Sequence, residues 1–348
     1  SFPTRRSSDL SITDNIGLSV GGKMKVGLCY DLQDTYQITG EAIYKDFSFL
    51  SEVEYVERCL KKAGHKVIMI NGLEKFIRNI RHYKRDCDII FNMMEGYGSR
   101  NREGLVPALC EAYNIAYTGT DSFGMSLSLN KYYISRVIDS FGIKVPKACL
   151  IDYPYSNADF FCKSEISFPC VIKPNNEGSG MGVFLVNSEQ ELLEKARYLS
   201  NTYQQQLVVE EYIQGKEISV GILGTASQAQ VYSCYEFLNE DGSDIELFDY
   251  ECKYNTDYQA VPPRLEKETI DCICAQSLLI HKLLKFQDIS RIDWRIRQDE
   301  SYFIEATPLP AFDIDSDFDL GSKAVGETFE DVLNKVLNSA LNRRREQE

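Results

Sequence analysis

Between Lys25 and Met94, short apolar runs alternate with amphipathic stretches, and this alternation restricts the possible folds more than any other feature of the chain. KVGLCY (Lys25–Tyr30), Lys66–Ile70 and CDIIFNMM (Cys87–Met94) read as strands. Phe49–Gly64 reads as a helix, with Val53, Val56, Leu60 and Ala63 at helical spacing and Gly64 as its stop; Leu73–Tyr83 reads as another. That order predicts a parallel sheet flanked by helices, a Rossmann-like domain over residues 23–120. The polar, Gly-rich loop Glu95–Gly104 follows the third strand, on the side where open α/β sheets place their ligands. Glu95 is therefore a candidate substrate contact.

Two further α+β units are expected, over residues 121–205 and 206–348. In the first, Ser122–Gly142 reads as a helix, Val145–Ile151, Pro169–Pro174 and Val183–Val186 as strands, and Ser188–Ser200 as a helix opened by a Ser-x-x-Glu cap. In the second, Leu207–Ile213, Glu217–Leu223, Gln230–Phe237, Arg291–Arg297 and Tyr302–Thr307 read as strands. Leu265–Phe286 and Thr328–Arg345 read as helices. The opening 22 residues lack periodicity and any apolar signal-peptide region, and are expected to be a non-native leader with Met24 as the natural start.

Composition excludes several classes. A net charge of −14 argues against a sequence-independent grip on nucleic acid, which needs a basic face. No run approaches the ~20 apolar residues that cross a bilayer. The 11 Cys are scattered without a C-x-x-C pair, so they read as reduced thiols of a cytoplasmic protein. The three His carry no second ligand at zinc spacing.

Chemistry concentrates in four segments. Lys173–Val183 is strand–loop–strand, so it is neither a Rossmann fingerprint nor a Walker A loop. Gly178, Gly180 and Gly182 allow backbone N–H groups to close over an anion, with Lys173 as a point charge at the root of the loop. In RIDWRI, Arg291, Asp293 and Arg295 share one face of a strand. A hairpin centred on Asp299 sets Asp293 opposite Glu305 and Arg291 opposite Thr307, and places Phe303, Glu305 and Thr307 on one face. Opposed like charges destabilise a sheet unless they are neutralised, and Mg²⁺ shared with a phosphate would do so. Leu207–Ile213 runs into Gly215 and Glu217, with carboxylates at a cleft edge and Glu217 as a candidate ribose acceptor. Asp249–Tyr254, expected to be irregular, offers Lys253 for phosphate and Tyr254 for substrate.

Taken in order, YTGTD…SLNK (Tyr117–Lys131), VIKPNNEGSGMGV, VVEEYIQGKEISVGILG, DYECKY and RIDWRI…YFIEATPLP resemble the ATP-grasp ligases, most closely the D-alanine–D-alanine ligase branch. The resemblance implies an α+β ATP-grasp fold with ATP held between two sheets. It assigns Lys131 and Lys173 to ATP phosphates and Glu177–Gly182, including Ser179, to a lid over them. Glu210, Glu211, Tyr212 and Ile213 would meet adenine and Glu217 the ribose. Lys253 would reach the γ-phosphate, Arg291 the transferring phosphoryl group, and Asp293, Glu305 and Thr307 one or two Mg²⁺ ions. Arg291, Lys253 and Ser179 are the expected catalytic groups. The implied reaction joins a small-molecule carboxylate and an amine, both amino acids, through an acyl phosphate. It involves no nucleic acid or membrane, and a homodimer is expected. Strict D-alanyl-D-alanine synthesis and a non-catalytic nucleotide-binding protein are the alternatives.

Departures bear on the substrate. Thr307 stands where the family has a metal-binding Asn, Ala311 replaces a Gly, Glu95-Gly96 replaces His-Gly, and Ser316-Asp317 replaces Ser-Leu at the second amino-acid site. The family's early substrate loop is not recognisable around Asp31–Glu41. The added acids Glu95, Asp313, Asp315 and Asp317 suggest a substrate with a cationic or amino group.

Overall fold

The computed structural model describes residues 22–36, 47–154 and 166–347, with the side chains of Asn255, Glu346 and Gln347 left aside. The expected leader, apart from Gly22, and most of the Asp31–Glu41 loop lie outside the described residues.

Strands β1 (Lys25–Tyr30), β2 (Lys66–Asn71) and β3 (Ile89–Asn92) form a parallel sheet in the order β2-β1-β3. Helix α1 (Leu50–Lys62) buries Val53, Val56 and Leu60 of the expected stripe, and Cys59 with them, while Ala63 caps the helix and is only half-buried. The stretch expected as one helix over Leu73–Tyr83 is two, α2 (Leu73–Arg78) and α3 (Ile80–Asp86). Asn79 leaves helical geometry between them at ψ 12°. Helix α4 (Leu105–Tyr113), which the strand-to-strand reading missed, returns the chain towards the next unit.

The expected single helix over Ser122–Gly142 is likewise two, α5 (Ser122–Leu129) and α6 (Lys131–Ser140). Asn130 is extended and its side chain accepts from the Tyr133 amide, so it caps a new helix instead of continuing the old one. Lys131 is thereby fixed at the first turn of α6. Strands β4 (Ala148–Ile151), β5 (Cys170–Pro174), β6 (Phe184–Val186) and β7 (Leu207–Glu211) make an antiparallel sheet in the order β4-β7-β5-β6. Helix α7 (Glu189–Tyr203) covers it, and its Ser188 cap accepts from the Glu191 amide as the sequence predicts.

The third sheet runs β10-β9-β8-β11-β12, with β8 (Lys216–Leu223), β9 (Gln230–Asn239), β10 (Tyr258–Val261), β11 (Ile289–Arg297) and β12 (Glu300–Thr307). Asp249–Tyr254 is not irregular: Asp249 caps the short helix α8 (Tyr250–Asn255) through the Cys252 amide. Helix α9 (Lys267–Leu283) packs on the far face of this sheet, in a core that holds Ile218, Ile292, Trp294 and Phe303. After β12 come α10 (Asp317–Ala324) and α11 (Phe329–Gln347). Val332, Leu333, Val336, Leu337 and Ala340 of α11 share one core with α1, β1 and β3, so the C-terminal helix ties the last unit to the first. Asp288, fully buried, completes the tie by accepting from the Gly119 amide, Thr225, Ser339 and Arg343. Among the described residues no helix is long and apolar enough to cross a membrane.

Candidate active site

The β11–β12 hairpin carries the central pair. Its turn is Gln298-Asp299, both at positive φ (49° and 67°), a conformation that joins twisted antiparallel strands directly. From Arg297↔Glu300 the pairing runs to Trp294↔Phe303, then slips by one residue, so that Asp293 faces Glu305 and Arg291 faces Thr307. The expected opposition is present, but it arises from a two-residue turn plus a bulge. The bulge also corrects the expected face of Phe303, which packs edge-on to Trp294 in the core (ring centroids 6.2 Å apart), while Glu305 and Thr307 line a cavity.

That cavity, about 440 Å³, lies between the second and third sheets and opens to the carboxyl end of β3. Along its walls stand Glu95, Lys131, Lys173, Glu177, Gly178, Ser179, Gly180, Glu210, Glu211, Tyr212, Ile213, Glu217, Lys253, Tyr254, Arg291, Asp293, Glu305, Thr307, Ala311 and Ser316. Of the residues singled out from sequence, Gly182 is not on the lining, nor are Gly215 and the core residue Phe303. Gly182 lies behind the loop at φ +65°, where a Cβ would press within 2.9 Å of Leu199 and Tyr203.

Charges in the cavity are paired with care. Asp293 accepts a bidentate fork from Arg291, at 2.9 and 2.8 Å. Glu305 is ion-paired with Lys131. Burial alone would raise the Glu305 carboxyl, but Lys131 and Lys253 outweigh it and hold the group down to about 2. Lys173 on β5 pairs with Glu210 on β7, two residues along from its direct partner Val208 and on the same face. Arg295 and Glu217 stand directly opposite on β11 and β8, 2.5 Å apart. Arg295 also donates to the carbonyls of Gly215, Ile245 and Glu246, which locks Glu217 in place. Burial raises the Glu217 carboxyl against the pull of Arg295, and burial followed by Arg291 lowers the Lys253 ammonium.

The Gly-rich loop rests on α8. Ser179 and Gly180 are at positive φ, and a Cβ on Gly180 would meet the Asp249–Tyr250 backbone at 2.7 Å. The Tyr250 amide donates to the Gly180 carbonyl at 3.2 Å, and the Tyr254 hydroxyl lies 3.4 Å from Ser179 Oγ. Lys131 is tied to the root of this loop, since Asn175 accepts from the amides of Lys131 and Tyr132.

Sequence reading missed Glu52, which lines the wall, and Arg102, which braces it from outside the lining. Arg102 donates to the Asn176 carbonyl at 2.7 Å and stands near Glu103 and Glu177. Glu52 of α1 accepts from the Phe312 amide, and burial raises its carboxyl. These contacts span 74 and 260 residues, so no local pattern announces them. Arg295 was legible in the alternation of RIDWRI, but its role as the clamp on Glu217 needs the β8 register. Asp315 stands on the cavity lining as well, with its exposed carboxylate paired to Lys323 at 2.7 Å.

Magnesium fits this donor set only as a shared ion. Among the described residues no group of three or more His, Cys, Asp or Glu converges to hold a metal. The opposed pair offers hard carboxylate oxygens with the Thr307 hydroxyl beside them, the supply expected where phosphate oxygens complete the coordination.

Opposed carboxylates, flanking cations and a glycine loop between two antiparallel sheets define the ATP-grasp class. Residues 138–338 match the family described as D-ala D-ala ligase C-terminus, and the chain belongs to that family. A D-alanine–D-alanine ligase of Carboxydothermus hydrogenoformans is 28% identical over 330 residues, covering 91% of this chain and 98% of the relative. The ATP complex of a Bacillus anthracis D-alanine–D-alanine ligase superposes with a TM-score of 0.73 at 20% identity, over 94% of this chain and all of that one. The VanG D-Ala:D-Ser ligase of Enterococcus faecalis gives 0.69 at 20% identity, over 92% of this chain and all of that one.

Proposed function

We propose that the protein is an ATP- and Mg²⁺-dependent carboxylate–amine ligase that acts on small amino-acid substrates in the cytoplasm. The observation that carries this reading is the set of four cations, Lys131, Lys173, Lys253 and Arg291, in one cavity with the Asp293–Glu305 pair.

In the first step a substrate carboxylate oxygen attacks the γ-phosphorus. A P–O bond forms, the bond to the β–γ bridging oxygen breaks, and ADP leaves. In the second, an amine nitrogen attacks the acyl carbon. A C–N bond forms, the C–O bond to phosphate breaks, and the nitrogen releases a proton. Phosphoryl transfer asks chiefly for positioning and charge neutralisation, which suits a site without a nucleophilic triad.

Lys131 and Lys173, held in place by Glu305 and Glu210, would turn to the triphosphate. Lys253 would meet the γ-phosphate, and Arg291 would stabilise the charge that builds on the transferring group. Glu210, Glu211, Tyr212 and Ile213 would frame adenine and Glu217 the ribose. Asp293 and Glu305, with Thr307, would hold magnesium, which when bound neutralises phosphate charge. The Glu177–Gly182 loop would exclude water from the acyl phosphate.

ADP release from paired carboxylate and amine substrates tests the reading. Release that depends on both partners supports it. ATP binding without release for any pair, D-alanine with itself included, contradicts it.

A further inference from the structure

The wall facing the paired cations is built differently. Ser316 and Asp317 open α10 at the cavity lining. Asp317 Oδ2 is 3.7 Å from Arg291 Nη1, beyond hydrogen-bonding distance, and Arg291 already gives its Nε and Nη2 to Asp293. Asp317 Oδ1 is buried with no hydrogen-bond partner, and the same holds for Ser316 Oγ and Ser219 Oγ. Ser219 is 1% exposed and stands opposite Asp293 on β8, hence on the cavity face of the sheet. Its hydroxyl sits beside the Asp317 carboxylate without the geometry of a hydrogen bond. The nearest cation of α10, Lys323, is committed to Asp315 and Asp319 at 2.7 and 2.8 Å.

Three buried oxygens without partners, one of them anionic, call for a donor with several N–H bonds and a positive charge. A primary ammonium has three such donors. An ammonium paired with a carboxylate stays protonated, so it is not the nitrogen that attacks an acyl carbon. We propose that Asp317, Ser316 and Ser219 form a specificity subsite for a second, protonated amino group on the amine substrate. The acceptor is then a basic amino acid or a diamine, an inference that rests on the ligase reading above for the word acceptor. The subsite itself is a matter of binding.

Calorimetry on the full chain, with Mg²⁺ and a non-hydrolysable ATP analogue present, tests it with lysine against norleucine and ornithine against norvaline, in both configurations. The wild type is expected to bind the cationic member of a pair about tenfold tighter or better, a difference of about 1.4 kcal/mol per factor of ten. Asp317→Asn should level that preference, while Asp315→Asn, at the outward-turned acid, should keep it. Should Asp317→Asn fail to fold, Ser219→Ala, which removes a hydroxyl without a partner, must weaken the preference. Equal binding of neutral and cationic members, no binding of any, or a preference that survives Asp317→Asn overturns the subsite. ADP release is followed in parallel. A binding preference with no ADP from any pair upholds the subsite and overturns the ligase reading, and ADP release with no preference does the reverse.

Discussion

At the hairpin end of the cavity, Glu305 is half-buried beside Lys131 and Lys253, and its carboxyl is held down to about 2. At the other end, behind Glu95, Asp31 is fully buried, and its carboxyl is pushed up to about 6. Asp31 accepts from the amides of Glu95 and Gly96 and from Tyr36, but these neutral donors do not outweigh its burial. Glu52 is raised in the same way. Burial raises both carboxyls, and what differs is how closely a cation is paired: Lys131 is ion-paired with Glu305, whereas Arg102 acts on Asp31 only weakly and without an ion pair. The hairpin end is neutralised in advance and suited to exchanging its internal partners for a triphosphate. The other end holds proton affinity in reserve, which suits it to receive positive charge.

The largest effect that would break this contrast is on turnover. Asp293→Asn should lower ADP release on the order of 10³-fold, since it would remove the proposed magnesium ligand and loosen the Arg291 fork. Near wild-type rates would remove the hairpin from the chemistry. Next in size is the Lys173–Glu210 pair. Lys173→Ala leaves a buried carboxylate uncompensated and should cost about 3 kcal/mol or more in denaturant unfolding. Lys173→Met with Glu210→Leu should recover most of that stability while ATP binding stays lost.

Asp31 sharpens the contrast through pH. Its folded pKa lies above the unfolded value, so between about pH 4 and pH 6 the native state binds more protons than the unfolded one. Its contribution to stability therefore falls as pH rises through that window, by roughly 3 kcal/mol. Asp31→Asn should flatten that slope relative to wild type in unfolding measured from pH 4 to pH 7. Glu305 has the opposite sign: its contribution is present above about pH 4.5 and is lost as pH falls towards 2. The smallest effect serves as a control away from both ends. Ser188→Ala should cost about 1 kcal/mol through the lost α7 cap and leave ADP release unaltered.

The sequence made the hairpin end legible because its chemistry is local. Arg291, Asp293 and Glu305 follow from strand alternation, and a register error at the turn was cancelled by a bulge one residue from the site. Glycines at alternate positions and a lysine at a strand end mark the proposed phosphate loop in the same way. The other end was less legible because its groups meet only in three dimensions. Glu52 reaches Phe312, and Arg102 reaches Asn176. Helix breaks at Asn79 and Asn130 and the short helix after Asp249 were misread for a related reason. Each turns on a single residue leaving helical geometry or capping a new helix, against apolar spacing that continues through it.

The central claim is that Asp293 and Glu305 act together with bound triphosphate through a shared divalent ion. ATP affinity measured with and without Mg²⁺ tests it most directly. The wild type should bind ATP at least about tenfold tighter with the ion, and Asp293→Asn with Glu305→Gln should abolish that gain. ATP binding indifferent to Mg²⁺ in the wild type, or a gain that survives the double substitution, would contradict the account.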